Sequence, residues 1–169
     1  MPLCRRDSSW FDAILKNNVQ FVEQNKQAYQ RLYENRLNGP NIHAGWAGIH
    51  YAAALNLKEI FISLFDGEYD LLTDKASLVH SIYLGRQANI EAGSSIIHIL
   101  IAVNATELLE YVFNKWYTNP EYADLAGVKN DAGQTALIMA PVVKTAAAMM
   151  WATNERAIRN EIRLSTNVD

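Results

Sequence analysis

Three stretches of the chain share one pattern: NIHAGWAGIHYAA at residues 41–53, NIEAGSSIIHILI at 89–101 and KNDAGQTALIMAP at 129–141. Each contains Ala-Gly, then three residues, then an aliphatic residue, and the first two also share Asn-Ile and an aliphatic-His pair. Recurrence of this kind indicates a repeat architecture, in which each copy is one supersecondary unit. The sequence therefore predicts several similar units in a row.

A second apolar stretch follows each copy after a short polar break. These stretches are EIFISLF at 59–65, ELLEYVF at 107–113 and AAAMMWA at 146–152. In the middle one, the spacing of the apolar residues at 108, 109, 112 and 113 lines one face of a helix. The pattern predicts two helices per unit.

The residues at the breaks favour tight turns. Asn56, Asn104 and Lys144 occupy equivalent break positions, and Asn17 holds the same position in a divergent first copy, AILKNNVQFV at 13–22. Asparagine tolerates the left-handed conformation that ends many helices. Before the first helix of each unit stand Gly45, Gly93 and Gly133, which suit a turn with positive φ. We expect helix, tight turn, helix, and such units must stack to bury their apolar faces.

These units resemble ankyrin repeats, whose consensus includes G-x-T-P-L-H-x-A-A. The best matches are GQTAL at 133–137 and Gly45 followed by IHYAA at 49–53. The resemblance implies an all-α ankyrin-repeat solenoid of about four helix-turn-helix units, with short hairpin loops and capped ends. We expect a single domain over 1–169, with units at about 8–40, 41–88, 89–128 and 129–164 and a tail at 165–169.

The spacing of the turns departs from the family. The turn positions 17, 56, 104 and 144 lie 39, 48 and 40 residues apart, whereas ankyrin repeats recur every ~33 residues. Insertions are therefore expected within 24–40, 66–88 and 114–128. In the middle insertion, Asp74 as a cap, apolar residues at 78, 79 and 82, and Gly85 as a stop predict an additional helix that carries His80.

The C-terminal segment continues the helical pattern beyond the last unit. Ala148, Trp151, Ala152, Ile158 and Ile162 form an apolar stripe at helical spacing. We interpret this as an extended helix that caps the stack, and a helix that binds a partner or dimerises is the alternative.

Composition restricts the class of protein. The 169 residues carry a net charge of −3, half are hydrophobic, and the one cysteine, Cys4, cannot form an internal disulfide. Nothing offers the basic surface that nucleic-acid binding requires, no apolar run is long enough to cross a membrane, and no secretory signal is visible. We expect a cytoplasmic protein that binds neither nucleic acid nor membrane.

No catalytic or cofactor-binding motif emerges. The chain has no P-loop, no dinucleotide fingerprint, no nucleophile elbow and no His-Cys spacing typical of zinc. In the ankyrin family, the histidine at the position of His50 and His98 hydrogen-bonds backbone between adjacent units, so the resemblance implies a structural role for both. Ser94 and Ser95 stand where a helix N-cap is expected. We predict a protein that is not an enzyme and needs no cofactor.

The resemblance also implies a concave groove that binds another protein, such as an apolar helix. The partner-binding residues implied are His43, Trp46, Tyr51, Leu55, Glu91, Ser94, Ile99, Val103, Asp131, Gln134, Met139 and Val143, with Ala54, Ala102 and Val142 beside them. The inner-helix members carry no charge, which favours an exposed apolar patch, and Trp46 is the best single anchor. One alternative is that Trp46 packs under a neighbouring hairpin. A separate alternative is that the insertion at 66–88 or the last helix covers the groove.

Two further alternatives concern assembly and activity. A monomer is favoured over a homodimer. The rival to a binding module is an enzyme or enzyme regulator whose site is formed by the inserted loops, and a tightly bound metal or nucleotide would indicate it.

Overall fold

The computed structural model describes residues 5–34, 46–74, 76–80 and 87–166. This part of the chain is mainly helical, as predicted. The α-helices are α1 (Arg5–Leu15), α2 (Val19–Tyr29), α3 (Gly48–Ala54), α4 (Lys58–Glu68), α5 (Ile96–Ala102), α6 (Thr106–Thr118), α7 (Ala123–Ala126), α8 (Ala136–Val143) and α9 (Ala146–Thr166). A 3₁₀ turn at Pro120–Tyr122 precedes α7, and two strands, β1 (Ser77–His80) and β2 (Gln87–Ile90), lie between α4 and α5.

Eight of these helices form four hairpins. The pairs α1–α2, α3–α4, α5–α6 and α8–α9 are each joined by a short turn and packed together. The four residues predicted to form these turns, Asn17, Asn56, Asn104 and Lys144, all adopt left-handed backbone with φ between 56° and 61°. The left-handed residue reverses the chain within a few positions, so that two apolar faces meet.

The hairpins lie side by side. α3 packs against both α1 and α5, and α5 packs against α8, while α4 packs against α2 and α6 against α9. Rings join neighbouring hairpins: the Phe113 and Trp151 ring centroids are 4.2 Å apart, and those of Phe65 and Tyr111 are 5.3 Å apart. One continuous core therefore runs through the four hairpins.

The two inner helices at the centre are short and completely enclosed. All seven residues of α3 and all seven residues of α5 are buried. Gly48, the first residue of α3, permits a close approach, because a Cβ there would lie 2.7 Å from Cδ1 of Ile14. Helices of this length are unstable alone, so their stability comes from the neighbours that surround them.

The described residues after Asp74 differ from the prediction. A helix between Asp74 and Gly85 was expected, but residues 77–80 form β1, which pairs antiparallel with β2, with Ser77 opposite Ile90 and His80 opposite Gln87. Ile82 and Gly85 lie outside the described residues. The exposure in β2 alternates towards a buried Ile90, as in a half-buried strand. The apolar residues at 78 and 79 fit a strand as well as a helix, and so short a run could not distinguish the two.

Two predictions for the C-terminal segment are also corrected: where its tail begins and how completely it caps the stack. α9 continues to Thr166 and so includes the first two residues of the predicted tail. Ala148, Trp151, Ala152 and Ile158 are buried as the stripe predicted, and Ile162 lies outside the residues whose side chains are described. The predicted cap leaves one apolar face open, because Ile138, Val142 and Met149 are 52–68% exposed.

Candidate functional site

A cleft opens between strand β2 and the helices α5 and α8. Its volume is about 300 Å³. The residues that line it are Gln87, Ala88, Asn89, Ile90, Glu91, Ser94, His98, Ala102, Asn130, Gln134, Met139, Val142 and Val143. Five of the predicted partner-binding residues are among them: Glu91, Ser94, Gln134, Met139 and Val143.

The cleft has one polar and one apolar wall. Gln87, Asn89 and Glu91, on and just after β2, are exposed and present amide and carboxylate groups. On the helical side, Val143 is half-buried and Val142 is 68% exposed. Such a cleft suits a ligand that has an apolar body and a polar edge.

The loop before α8 is built by one asparagine. The side-chain oxygen of Asn130 accepts the backbone N–H groups of Ala132 and Gln134 at 3.0 and 3.1 Å, and Gly133 takes a φ of +77°. These bonds form an Asx turn that holds the rim of the cleft in place. Thr135 follows as the N-cap of α8, since its side chain accepts from the backbone N–H of Ile138.

The loop before α5 is braced by Thr73. The Thr73 backbone N–H donates to the carbonyl of Ser94 at 2.9 Å, and its carbonyl accepts from Gly93 at 2.7 Å. The Ser94 hydroxyl donates to the carbonyl of Glu91 at 2.7 Å, and Ser95 is the N-cap of α5, as predicted. The serines are therefore engaged in local structure.

His98 lies at the floor of the cleft and is held at both ring nitrogens. Nδ1 accepts from the backbone N–H of Ser95 at 3.1 Å, and Nε2 donates to the carbonyl of Gln134 at 2.8 Å. Burial lowers the pKa of His98 below its ordinary value and favours the neutral ring, while the bond to Gln134 acts in the opposite direction. Because Nδ1 accepts, the proton of the neutral ring lies on Nε2. The ring has no free nitrogen for proton transfer in this arrangement.

His50 repeats the arrangement one hairpin earlier. Its Nδ1 accepts from the backbone N–H of Ala47 at 2.9 Å, and its Nε2 donates to the carbonyl of Leu71 at 3.0 Å. Burial lowers the pKa of His50 to about 4. The prediction of equivalent, buried histidines bonded to backbone is confirmed for both residues.

Most of the predicted open groove is closed. Trp46, Tyr51, Ile99 and Val103 are at most 2% exposed. Their side chains belong to the core, so the prediction that they form an exposed binding surface is wrong. The Trp46 ring lies 5.6 Å from that of Tyr51 on α3, so this contact lies within its own unit.

The remaining predicted positions are dispersed. Leu55 is half-buried and Asp131 is exposed. Asp131 lines a different recess of about 580 Å³, together with Tyr33, Leu72, Thr73, Asp74 and Gly93. His43 lies outside the described residues.

Of the polar wall of the cleft, only Glu91 was predicted. Gln87 and Ala88 end the predicted insertion and follow its expected helix, whereas Asn89 and Ile90 begin the second repeat copy; no strand was predicted for any of the four, so β2 was missed. The alternation of polar and apolar residues at these four positions is the only signal that could have indicated it, and it is too short to be decisive.

Nothing in the described part of the chain points to a metal or a membrane. No three His, Cys, Asp or Glu side chains there lie close enough to hold a metal ion. Among the described helices, none combines the length and apolar character that crossing a bilayer requires.

Comparisons with known proteins add no further constraint. The chain matches no protein-family model, and searches of curated proteins and of solved structures find no match. Its function must be inferred from the geometry of its own residues.

Proposed function

We propose that this chain is an ankyrin-like stack of helical hairpins that binds another protein and does not catalyse a reaction. The left-handed turns and the two histidines bonded to backbone support the ankyrin-like assignment. The observation that carries the binding function is the cleft between β2, α5 and α8, which gathers Glu91, Ser94, Gln134, Met139 and Val143 around one opening.

The size of the cleft defines what it binds. A volume of about 300 Å³ is at the small end of ligand sites and is too small for a whole helix. The cleft suits one or two aliphatic side chains of a partner segment, which would contact Val142 and Val143. The amides of Gln87 and Asn89 lie where they can bond the backbone of that segment.

The polar groups of the cleft support binding over catalysis. His98 and Ser94 are engaged by backbone at 2.7–3.1 Å. Neither is poised as a base or a nucleophile, because each would first have to give up a bond that holds a loop. An enzyme or enzyme regulator with a site in the inserted loops is the second candidate. The exposed carboxylate of Asp131 in the recess beside Tyr33 and Asp74 is the observation in its favour.

Selection of displayed random peptides on the intact chain tests the proposal. We expect the selected peptides to carry aliphatic side chains. Val143→Asp on the helical wall and Ala88→Arg on the strand wall should each weaken binding by roughly tenfold or more, because a Val-sized side chain contributes about 1.5–3 kcal/mol when buried.

The control is Ile62→Asp on α4, since Ile62 is 46% exposed and does not line the cleft. It should leave affinity unchanged. Selected peptides that bind both cleft variants as tightly as the parent would refute the site. Native mass spectrometry of the purified chain addresses the second candidate, because a stoichiometric metal or nucleotide would favour an enzyme.

A further inference from the structure

The last hairpin, α8 and α9, exposes apolar side chains at its surface. Ile138 is 52% exposed, Val142 is 68% exposed and Met149 is 56% exposed. Pro141 and Thr153 are exposed as well. We call these five residues the end face.

The same five positions are buried in the two hairpins before it. Their counterparts are His50, Ala53, Ala54, Phe61 and Phe65 in α3–α4, and His98, Ile101, Ala102, Leu109 and Phe113 in α5–α6. All ten are at most 8% exposed. The end face is therefore the surface with which a hairpin receives the next one.

Ring contacts show how that surface is covered elsewhere. Phe61 and Phe65 lie 6.3 and 5.3 Å from the ring of Tyr111 in the following hairpin. Phe113 lies 4.2 Å from Trp151 in the hairpin after that. At the end face, the described residues supply no equivalent partner for Met149 or Thr153.

The sequence of the last hairpin is that of a buried element. α8 reads ALIMAPVV and has no polar side chain on any side, and Lys144 is the only charged residue between 136 and 154. A helix that is apolar all round is normally enclosed. α5 and α9 cover only part of α8, so its remaining apolar side is available to another element.

The opposite end of the stack does not complement this face. The described side chains of α1 that are not buried include Ser9 and Asp12, and the exposed Lys16 follows the helix directly, so head-to-tail stacking of two copies would place apolar side chains against polar ones. A two-fold arrangement instead places the end face against itself, and its five positions bring no like charges together.

We infer that a second copy of this chain docks on the end face, giving a two-fold dimer that buries Ile138 and Met149 of both copies. The surface used is the one with which each earlier hairpin receives the next. The inference reverses the expectation of a monomer drawn from the sequence. The end face shares Val142 with the cleft, but neither Ile138 nor Met149 lines the cleft, so changes at these two residues test the dimer separately.

Sedimentation equilibrium of the full chain at several micromolar concentrations tests the inference. The wild type should reach twice the 19.0 kDa of one chain and no more. Ile138→Glu on α8 and Met149→Glu on α9 should each weaken the dimer at least tenfold. Two variants on different helices keep the test valid if one fails to fold, which circular dichroism detects.

The matched control is Ile62→Glu, because Ile62 on α4 is nearly as exposed as Ile138, at 46% against 52%. It should leave the dimer intact. The inference is overturned by a wild type that stays monomeric, by masses that grow beyond two chains, or by a dimer that Ile62→Glu weakens as much as Ile138→Glu.

Discussion

Replacing the buried carboxylate Glu68 by glutamine should change how stability depends on pH. Glu68 is fully buried, and its Oε1 accepts from the backbone N–H of Ile49 at 3.2 Å. Its Oε2 is buried and has no hydrogen-bond partner among the residues that the structure describes. Burial raises the pKa of Glu68 from 4.5 to about 7, so the protonated form is favoured in the folded state.

The sign and size of the effect follow from that shift. Between pH 4.5 and about 7 the unfolded chain ionises Glu68 while the folded chain keeps the proton, so the Glu68 contribution to stability is lost as pH rises. A difference of about 2.5 pKa units at 1.36 kcal/mol each gives roughly 3 kcal/mol. His50 acts in the opposite direction, because its lowered pKa of about 4 removes stability as pH falls below about 6.5.

Glu68→Gln removes the pH dependence that comes from Glu68 and leaves the pH dependence that comes from His50. The free energy of unfolding of the variant, minus that of the wild type, should therefore rise by roughly 3 kcal/mol from pH 4.5 to pH 7.5. Urea unfolding followed by tryptophan fluorescence at several pH values measures this difference. Glu59→Gln, at an exposed carboxylate on the same helix, removes the same charge without burial and should show a much smaller trend. A difference for Glu68→Gln that stays flat across this range would refute the reasoning.

Two further predictions concern the turns and the aromatic core. Lys144→Gly should stabilise the fold by roughly 0.5–1 kcal/mol in chemical denaturation, because it relieves left-handed strain at a φ of 59°. Asn104→Gly should instead destabilise by about 1 kcal/mol, since the Asn104 side chain accepts the backbone N–H of Ala147 at 2.7 Å. Equal effects of the two changes would contradict this account. Trp151→Ala should cost about 3–5 kcal/mol, measured in the same way, and a loss below 1 kcal/mol would show that the stack on Phe113 contributes little.

The turns and the histidines could be predicted from the sequence because few residue types satisfy them. A left-handed turn selects asparagine or glycine on steric grounds, and three of the four predicted turn positions carry asparagine. His50 and His98 recur at one position relative to the helix start, where a ring with both a donor and an acceptor is needed. Local geometry of this kind is visible without knowledge of the neighbours.

The prediction of an open groove was wrong because apolar residues on a helix are compatible with both an exposed and a buried position. An uncharged inner helix can form an exposed apolar surface, or it can be fully buried. The elements packed against the helix determine which of the two occurs. Tyr51 and Ile99 are enclosed in this fold, whereas Ile138 and Val142, of similar character, remain exposed at the end face. Whether these side chains are buried or exposed depends on the position of the hairpin in the stack. The sequence of one helix does not specify that position.

The strand β2 on one side of the cleft was not predicted. The helical wall follows from the repeat, because Met139 and Val143 occupy fixed positions in it. The strand wall spans the end of the insertion at 66–88 and the first residues of the second repeat copy, and four residues of alternating pattern do not distinguish helix from strand. Insertions lack a second copy for comparison, so their structure must be observed.

The paired histidines reveal how this architecture tolerates unequal loops. Each ring donates to a main-chain carbonyl, but the two acceptors are not equivalent: Leu71 follows α4, whereas Gln134 immediately precedes the cap of α8. Every residue has a carbonyl, so the side chain at the accepting position is free to vary, and so is the length of the loop that delivers it. Because the bond needs only the histidine and a main-chain carbonyl, the loops between successive hairpins can differ in length and sequence while the bond is kept.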